Sequence, residues 1–156
     1  MAYWLFKTEP FQFSWDDLKT SDRQTTTWDG IRNYQARNFL RDNVKLGDKV
    51  LFYHSRVDPP GIVGIAVVTR EAYADPSAWN PKSQYYDAKS SPDNIRWLMV
   101  DVTFSQDFPR MVTLEQMKNE PDLSDMLVVK RGQRLSIQPV EERHFRKVCS
   151  MGGLNE

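Results

Sequence analysis

The residues with the widest chemical scope lie in one short run, Trp28-Asp29-Gly30 followed by Arg32 and Asn33. A tryptophan face stacks on a flat ring, and Arg and Asn side chains hydrogen-bond the edge of a base. Trp28 fits a core role as well, because large aromatics are usually mostly buried. Arg32 and Asn33, if they face inward, need polar partners. A nucleobase would supply them. His54-Ser55 sets an imidazole next to a hydroxyl. Strand neighbours point to opposite faces, so regular geometry keeps the two apart and disfavours a Ser/His hydrolase.

Other chemistries are excluded by what the sequence lacks. It has no G-x-G-x-x-G, no G-x-x-x-x-G-K and no G-x-S-x-G, which removes the standard phosphate loops and the hydrolase elbow. Cys149, His54 and His144 form no zinc spacing. No metal and no cofactor is expected. Basic residues gather late in the chain: Lys130, Arg131, Arg134, Arg143, Arg146 and Lys147 stand against Glu141 and Glu142. A solvated helix face explains that run. A phosphate-contacting surface explains it too, with Lys130, Arg131, Arg134 and Arg143 as the contacts.

These residues must be held by secondary structure. Tyr3 to Thr8 reads as a buried strand, and Ser14 with Asp17 as an imperfect capping box for a helix over Trp15 to Lys19. Ser21 to Thr27 is polar and loop-like. A helix is predicted from about Gly30 to Asn43, with Asp29 as N-cap and Ala36, Phe39 and Leu40 as its buried stripe. Lys49 to Ser55 and Ile62 to Thr69 read as strands. Gly64 and Ala66 make one face of the second small, which permits close backbone approach. Asp75 to Asn94 has no apolar period but carries Trp79, Tyr85 and Tyr86. Such long loops are often functional, so it is expected to border the site and to contribute Trp79 or a tyrosine. Trp97 to Ser105 reads as a strand. Leu127 to Lys130 and Gln133 to Gln138 read as hairpin arms, and Pro139 to about Ser150 as a last helix. His144 is expected to be solvated there and Cys149 to be a small core residue. Short strands with a few interspersed helices indicate a small mixed barrel.

Composition sets the frame. The chain has 156 residues, 40% hydrophobic and 12% aromatic, with 21 basic and 21 acidic residues. That suits one domain and argues against disorder and against a polycation. Zero net charge leaves room for a local basic patch. No segment approaches the roughly 18 apolar residues of a membrane span. The first residues lack a signal-peptide pattern, and a single cysteine forms no internal disulfide, so a reducing, cytoplasmic setting is expected.

Six blocks together resemble the EVE domain family: YWLFKTEP (3–10), SWDDL (14–18), WDGIRNYQARNFLR (28–41), GDKVLFYHS (47–55), IVGIAVV with the following AYADPSAW (62–79), and RLSIQPV (134–140). The resemblance runs in order through essentially the whole chain and implies one domain over 1–156, as in bacterial single-domain members. It implies an α+β fold, a PUA-like mixed β-pseudobarrel with several flanking short helices. It also implies a reader of a modified base, modified cytosine above all, in DNA or RNA. With no catalytic constellation visible in the sequence, the chain reads as a non-catalytic module, expected to be a monomer. By the same resemblance Trp28 is the stacking wall, and Arg32, Asn33 and Tyr34 open the pocket. His54 and Ser55 lie at a lining strand end, with Ser136 opposite. Tyr73 and Asp75 belong to the segment leading in. Two other readings stand beside this one. One is a sensor of a free nucleoside or organic anion. The other is an enzyme acting on a nucleobase or nucleotide with His54 as acid or base.

Overall fold

The computed structural model of the chain describes residues 1–154. Six strands form one mixed sheet: β1 (Tyr3–Thr8), β2 (Thr25–Trp28), β3 (Lys49–His54), β4 (Gly61–Ala74), β5 (Leu98–Thr113) and β6 (Ile137–Val140). Four helices interrupt them: α1 (Trp15–Thr20), α2 (Tyr34–Asp42), α3 (Leu114–Lys118) and α4 (Glu142–Met151). The spatial order is β2-β5-β4-β3-β1-β6. β1 and β3 pair in parallel, with Phe6 opposite Phe52, and the other pairs are antiparallel. The crossover from β1 to β3 carries α1, β2 and α2, as a parallel pair requires a long connection.

Two apolar clusters lie on the two faces of the sheet. Trp4, Phe6, Val50, Phe52, Val100 and Val102 pack with Trp15 and Leu18 of α1 and Ala36 and Leu40 of α2. Leu5, Leu51, Ile65 and Val112 pack with Met117 of α3 and Phe145, Val148 and Cys149 of α4. The alternation Trp4/Phe6 against Leu5 is the strand period at work. Gly64 has the role expected of a small residue, because a Cβ there would run into the Trp15 ring. Gly64 thus lets α1 lie directly on the sheet.

The sheet is not a closed barrel; β2 and β6 are its two edges. β4 and β5 run for 14 and 16 residues and change register at several points, and such irregularities bend and twist a ladder. The bend brings the β2 edge round to face the β1–β6 edge, leaving a gap between them.

Several local expectations are corrected. The residues around Arg131-Gly132 are not paired arms. Leu127–Val129 is a 3₁₀ turn, and β6 pairs with β1 instead, Leu5 opposite Gln138. Pro139 lies in β6, so the last helix starts at Glu142. Thr25–Trp28 is a strand, because three β-branched threonines suit an edge even without apolar alternation. His144 is buried, not solvated; its Nε2 lies 2.9 Å from the Asp125 carboxylate.

Candidate functional site

The gap between the sheet edges is a cavity of about 580 Å³, within the usual range for ligand sites. One wall is the end of β2, Thr26 to Trp28, continued by Asp29, Gly30 and Ile31. The facing wall is Lys7 and Thr8 of β1 with Ser136 just before β6. Glu9, Gln12 and Phe13 after β1 form a third side, and Gln84 and Tyr85 of the long segment form the fourth. A smaller hollow of about 520 Å³ continues from it, sharing Lys7, Thr8, Glu9 and Ser136 and adding Ser55, Arg56, Gln133 and Arg134.

Trp28 is both core and wall. Only 7% of it is exposed. Its ring packs 5.3 Å from Phe6 and edge-on to Phe52 at 5.5 Å, yet it still lines the cavity. The ring is therefore held rigidly, as a stacking platform needs to be. Gly30 makes room for the opposite ring. It adopts φ +78, and a Cβ on it would stand 2.6 Å from Cζ of Tyr85. The Tyr85 hydroxyl and the Gln84 amide both donate to Gln12 Oε1 at 3.3 Å, tying the long segment to the turn after β1.

Burial perturbs Lys7, Asp29 and Tyr85 of the cavity. Burial lowers the Lys7 pKa; its Nζ donates to the Gln133 carbonyl at 3.3 Å, and among the described residues no carboxylate pairs with it. Asp29 is solvent-exposed as a residue, but burial of its carboxyl, reinforced by the Asp75 charge, raises its pKa. Tyr85 is raised as well, by burial and then by the charges of Asp29 and Glu9. A partly desolvated lysine and two carboxylates, Glu9 and Asp29, line the same cavity and can offer both a donor and acceptors to a polar ring edge.

Of the residues singled out by sequence, Trp28 and Ser136 line this cavity, and Ser55 and Arg134 line the adjoining hollow with Ser136. Others serve the frame around it. Asn33 caps α2, accepting the Ala36 N–H at 2.9 Å. Asp29 does not cap that helix, because Gly30 turns the chain and gives its N–H to Asp75. Arg32 reaches away from the cavity to Asp75, Ser77 and the Tyr85 carbonyl. Asp75 is fully buried and takes bonds from Gly30, Arg32 and Ser77. Tyr34 stacks on Trp97 at 4.8 Å. Tyr73 donates to Asp101 under the Arg70 guanidinium, and burial with that carboxylate pushes its pKa up to about 12. Trp79 is half-buried outside the cavity; the long segment contributes Tyr85 instead. Lys130 and Arg131 are exposed and line neither space. Arg143 is committed to Asp125 and Glu141. Asp125, Glu141 and His144 come close enough together to share a cation, but Arg143 already occupies their charge.

His54 accepts the Trp15 backbone N–H on Nε2 at 3.0 Å, and burial lowers its pKa from 6.5. The neutral ring is the folded form, so protons bind the unfolded chain more readily. Stability that His54 supports is present above about pH 6.5 and is lost as pH falls below it. Thermal unfolding at about pH 7.5 and pH 5.5 should show a drop in Tm that shrinks in His54→Gln. An equal drop in that variant would reject this role.

Sequence reasoning missed Lys7, Glu9, Gln12, Phe13, Thr26 and Thr27. The signal available was the KTE run at the end of β1, polar residues following a buried strand. What could not be read was that β2 curls round to face it.

An open, curled, mixed six-stranded sheet with short flanking helices defines a PUA-like protein. The sequence model of the EVE domain matches residues 2–151, and the chain belongs to that family. Human thymocyte nuclear protein 1 is 41% identical over 167 residues, covering 96% of this chain and 73% of the human protein. A solved structure of human THYN1 protein in complex with 5-methylcytosine-containing DNA superposes with a TM-score of 0.91 at 39% identity, covering 100% of both chains. A Pseudomonas syringae protein of solved structure is 40% identical with a TM-score of 0.91, covering 97% of this chain and 99% of its own.

Proposed function

We propose that this chain is a non-catalytic, monomeric module that takes a modified base, modified cytosine above all, from DNA into the cavity beside Trp28. The observation that carries this is the rigid tryptophan face opening on a ligand-sized cavity between the sheet edges. The 39%-identical human protein solved with 5-methylcytosine DNA supports the choice of base. A base inside a duplex must be turned out of the stack to reach such a site. Trp28 would stack on it, and Asp29 or Glu9 would accept from the cytosine amino group, as carboxylates do. RNA could present the same base, and the human complex favours DNA. The single cysteine, Cys149, is buried and forms no disulfide, which suits a reducing cytoplasm.

A binding role is supported by how the site spends its reactive groups. His54 uses Nε2 on a backbone amide, and Ser55 lines the adjoining hollow rather than pairing with it. The deciding experiment is a binding screen over oligonucleotides with modified and unmodified cytosine or adenine, in DNA and RNA, at one fixed salt concentration. Preference for modified cytosine, with no product formed on long incubation, is the expected result. Steady turnover abolished by His54→Ala would overturn it. Equal affinity for free nucleoside and strand would favour a small-molecule sensor instead.

A further inference from the structure

The hollow next to the base cavity has a different chemical character. Three cations line it, Lys7, Arg56 and Arg134, against one carboxylate, Glu9. Arg56 holds that carboxylate at 3.3 Å, so Glu9 arrives already neutralised. Arg134 is exposed, and among the described residues it has no ion pair or hydrogen bond. Ser55 and Ser136 add hydroxyls whose oxygens are not engaged among the described residues. Arg56 sits at φ 53, a left-handed conformation that few non-glycine residues adopt and that tends to persist at functional positions. Cations with spare donors beside free hydroxyls suit a tetrahedral oxyanion.

Position gives that anion a source. The hollow and the base cavity share Lys7, Thr8, Glu9 and Ser136 as a common wall. A nucleotide whose base fills one space carries its phosphate within a sugar's length of that wall. We propose that the second hollow seats a backbone phosphodiester directly flanking the captured nucleotide, held by Lys7 and Arg134 with the Arg56–Glu9 pair beside them. The proposal rests on the base-binding reading of the first cavity. It moves the phosphate contact from the exposed basic run around Lys130 and from the ion-paired Arg143 to residues beside the base.

The test uses an oligonucleotide with one 5-methylcytosine, made with all its phosphates or with a single neutral methylphosphonate on the 5′ or the 3′ side of that base. Wild type, Arg134→Gln and the remote control Arg41→Gln are titrated with each. One of the two methylphosphonates should weaken wild type and the control about tenfold, the scale of one lost charged hydrogen bond. Arg134→Gln should lose that sensitivity, keep its preference for the methylated base, and show a salt dependence shallower by about one charge. Equal methylphosphonate sensitivity in Arg134→Gln and wild type would overturn the proposal. So would a free 5-methyldeoxycytidine monophosphate that binds as tightly as the strand, since the anion would then not be a backbone phosphate. Wild type that binds methylated and unmethylated strands alike would instead defeat the base reading, and the methylphosphonate comparison would still decide the hollow.

Discussion

Trp28→Ala is expected to lose preference for the modified base and to weaken binding about 5- to 150-fold, the 1–3 kcal/mol scale of one base stacked on an aromatic ring. The same change removes core. The ring is 7% exposed and packs on Phe6 and Phe52, and truncating a buried tryptophan costs about 3–5 kcal/mol. The two losses separate through Trp28→Phe. Phenylalanine keeps most of the contact with Phe6 and a smaller π face toward the cavity. It should recover most of the Tm and only part of the affinity. Binding is therefore measured on protein shown to be folded by its unfolding transition. If folded Trp28→Ala binds the methylated strand as wild type does, the base does not sit against this ring.

Much of the frame was legible because its signals are local. The buried run at β1, the Ser14–Asp17 box and the apolar stripe of α2 are statements about neighbouring residues, and the structure bears each of them out. The family resemblance extended this to the fold as a whole. The site was less legible because it is made by closure of distant elements. Lys7, Trp28, Tyr85 and Ser136 come from four separate segments, and no spacing rule links them. Local reasoning also misjudged partners. Arg32 is half-buried and Asn33 is exposed, and protein already supplies their partners: Asp75 for one and the Ala36 amide for the other. Tyr85 could have been found from Gly30, since a glycine after Trp-Asp marks either a left-handed turn or a close neighbour, and here it marks both.

Arg32 is the residue for which sequence and structure suggest different experiments. A base contact predicts lost affinity in a stable variant. A strut predicts lost stability. Its guanidinium bonds Asp75 at 3.2 Å, Ser77 at 3.2 Å and the Tyr85 carbonyl at 2.8 Å, and it stacks between Tyr85 and Trp97 at 5.7 and 5.4 Å. Asp75 is completely buried. Burial works to raise its pKa, but bonds from Ser77, Gly30 and Arg32 outweigh it and hold the pKa below 3.8. Removing one partner of a buried ion pair costs about 3–5 kcal/mol, because the other charge is left behind. The Ser77 and Gly30 donors remain, so Arg32→Leu should lie near the lower figure. A group with a depressed pKa contributes its stability above the ordinary carboxylate range and loses it as pH falls through the folded value. The deficit of Arg32→Leu should therefore be full at neutral pH and shrink in acid. Asp75→Asn in the same background should recover part of it by removing the stranded charge. Affinity should fall only as far as Tyr85 shifts in the cavity wall. An Arg32→Leu protein of wild-type Tm with binding abolished would show that the guanidinium turns to the ligand after all.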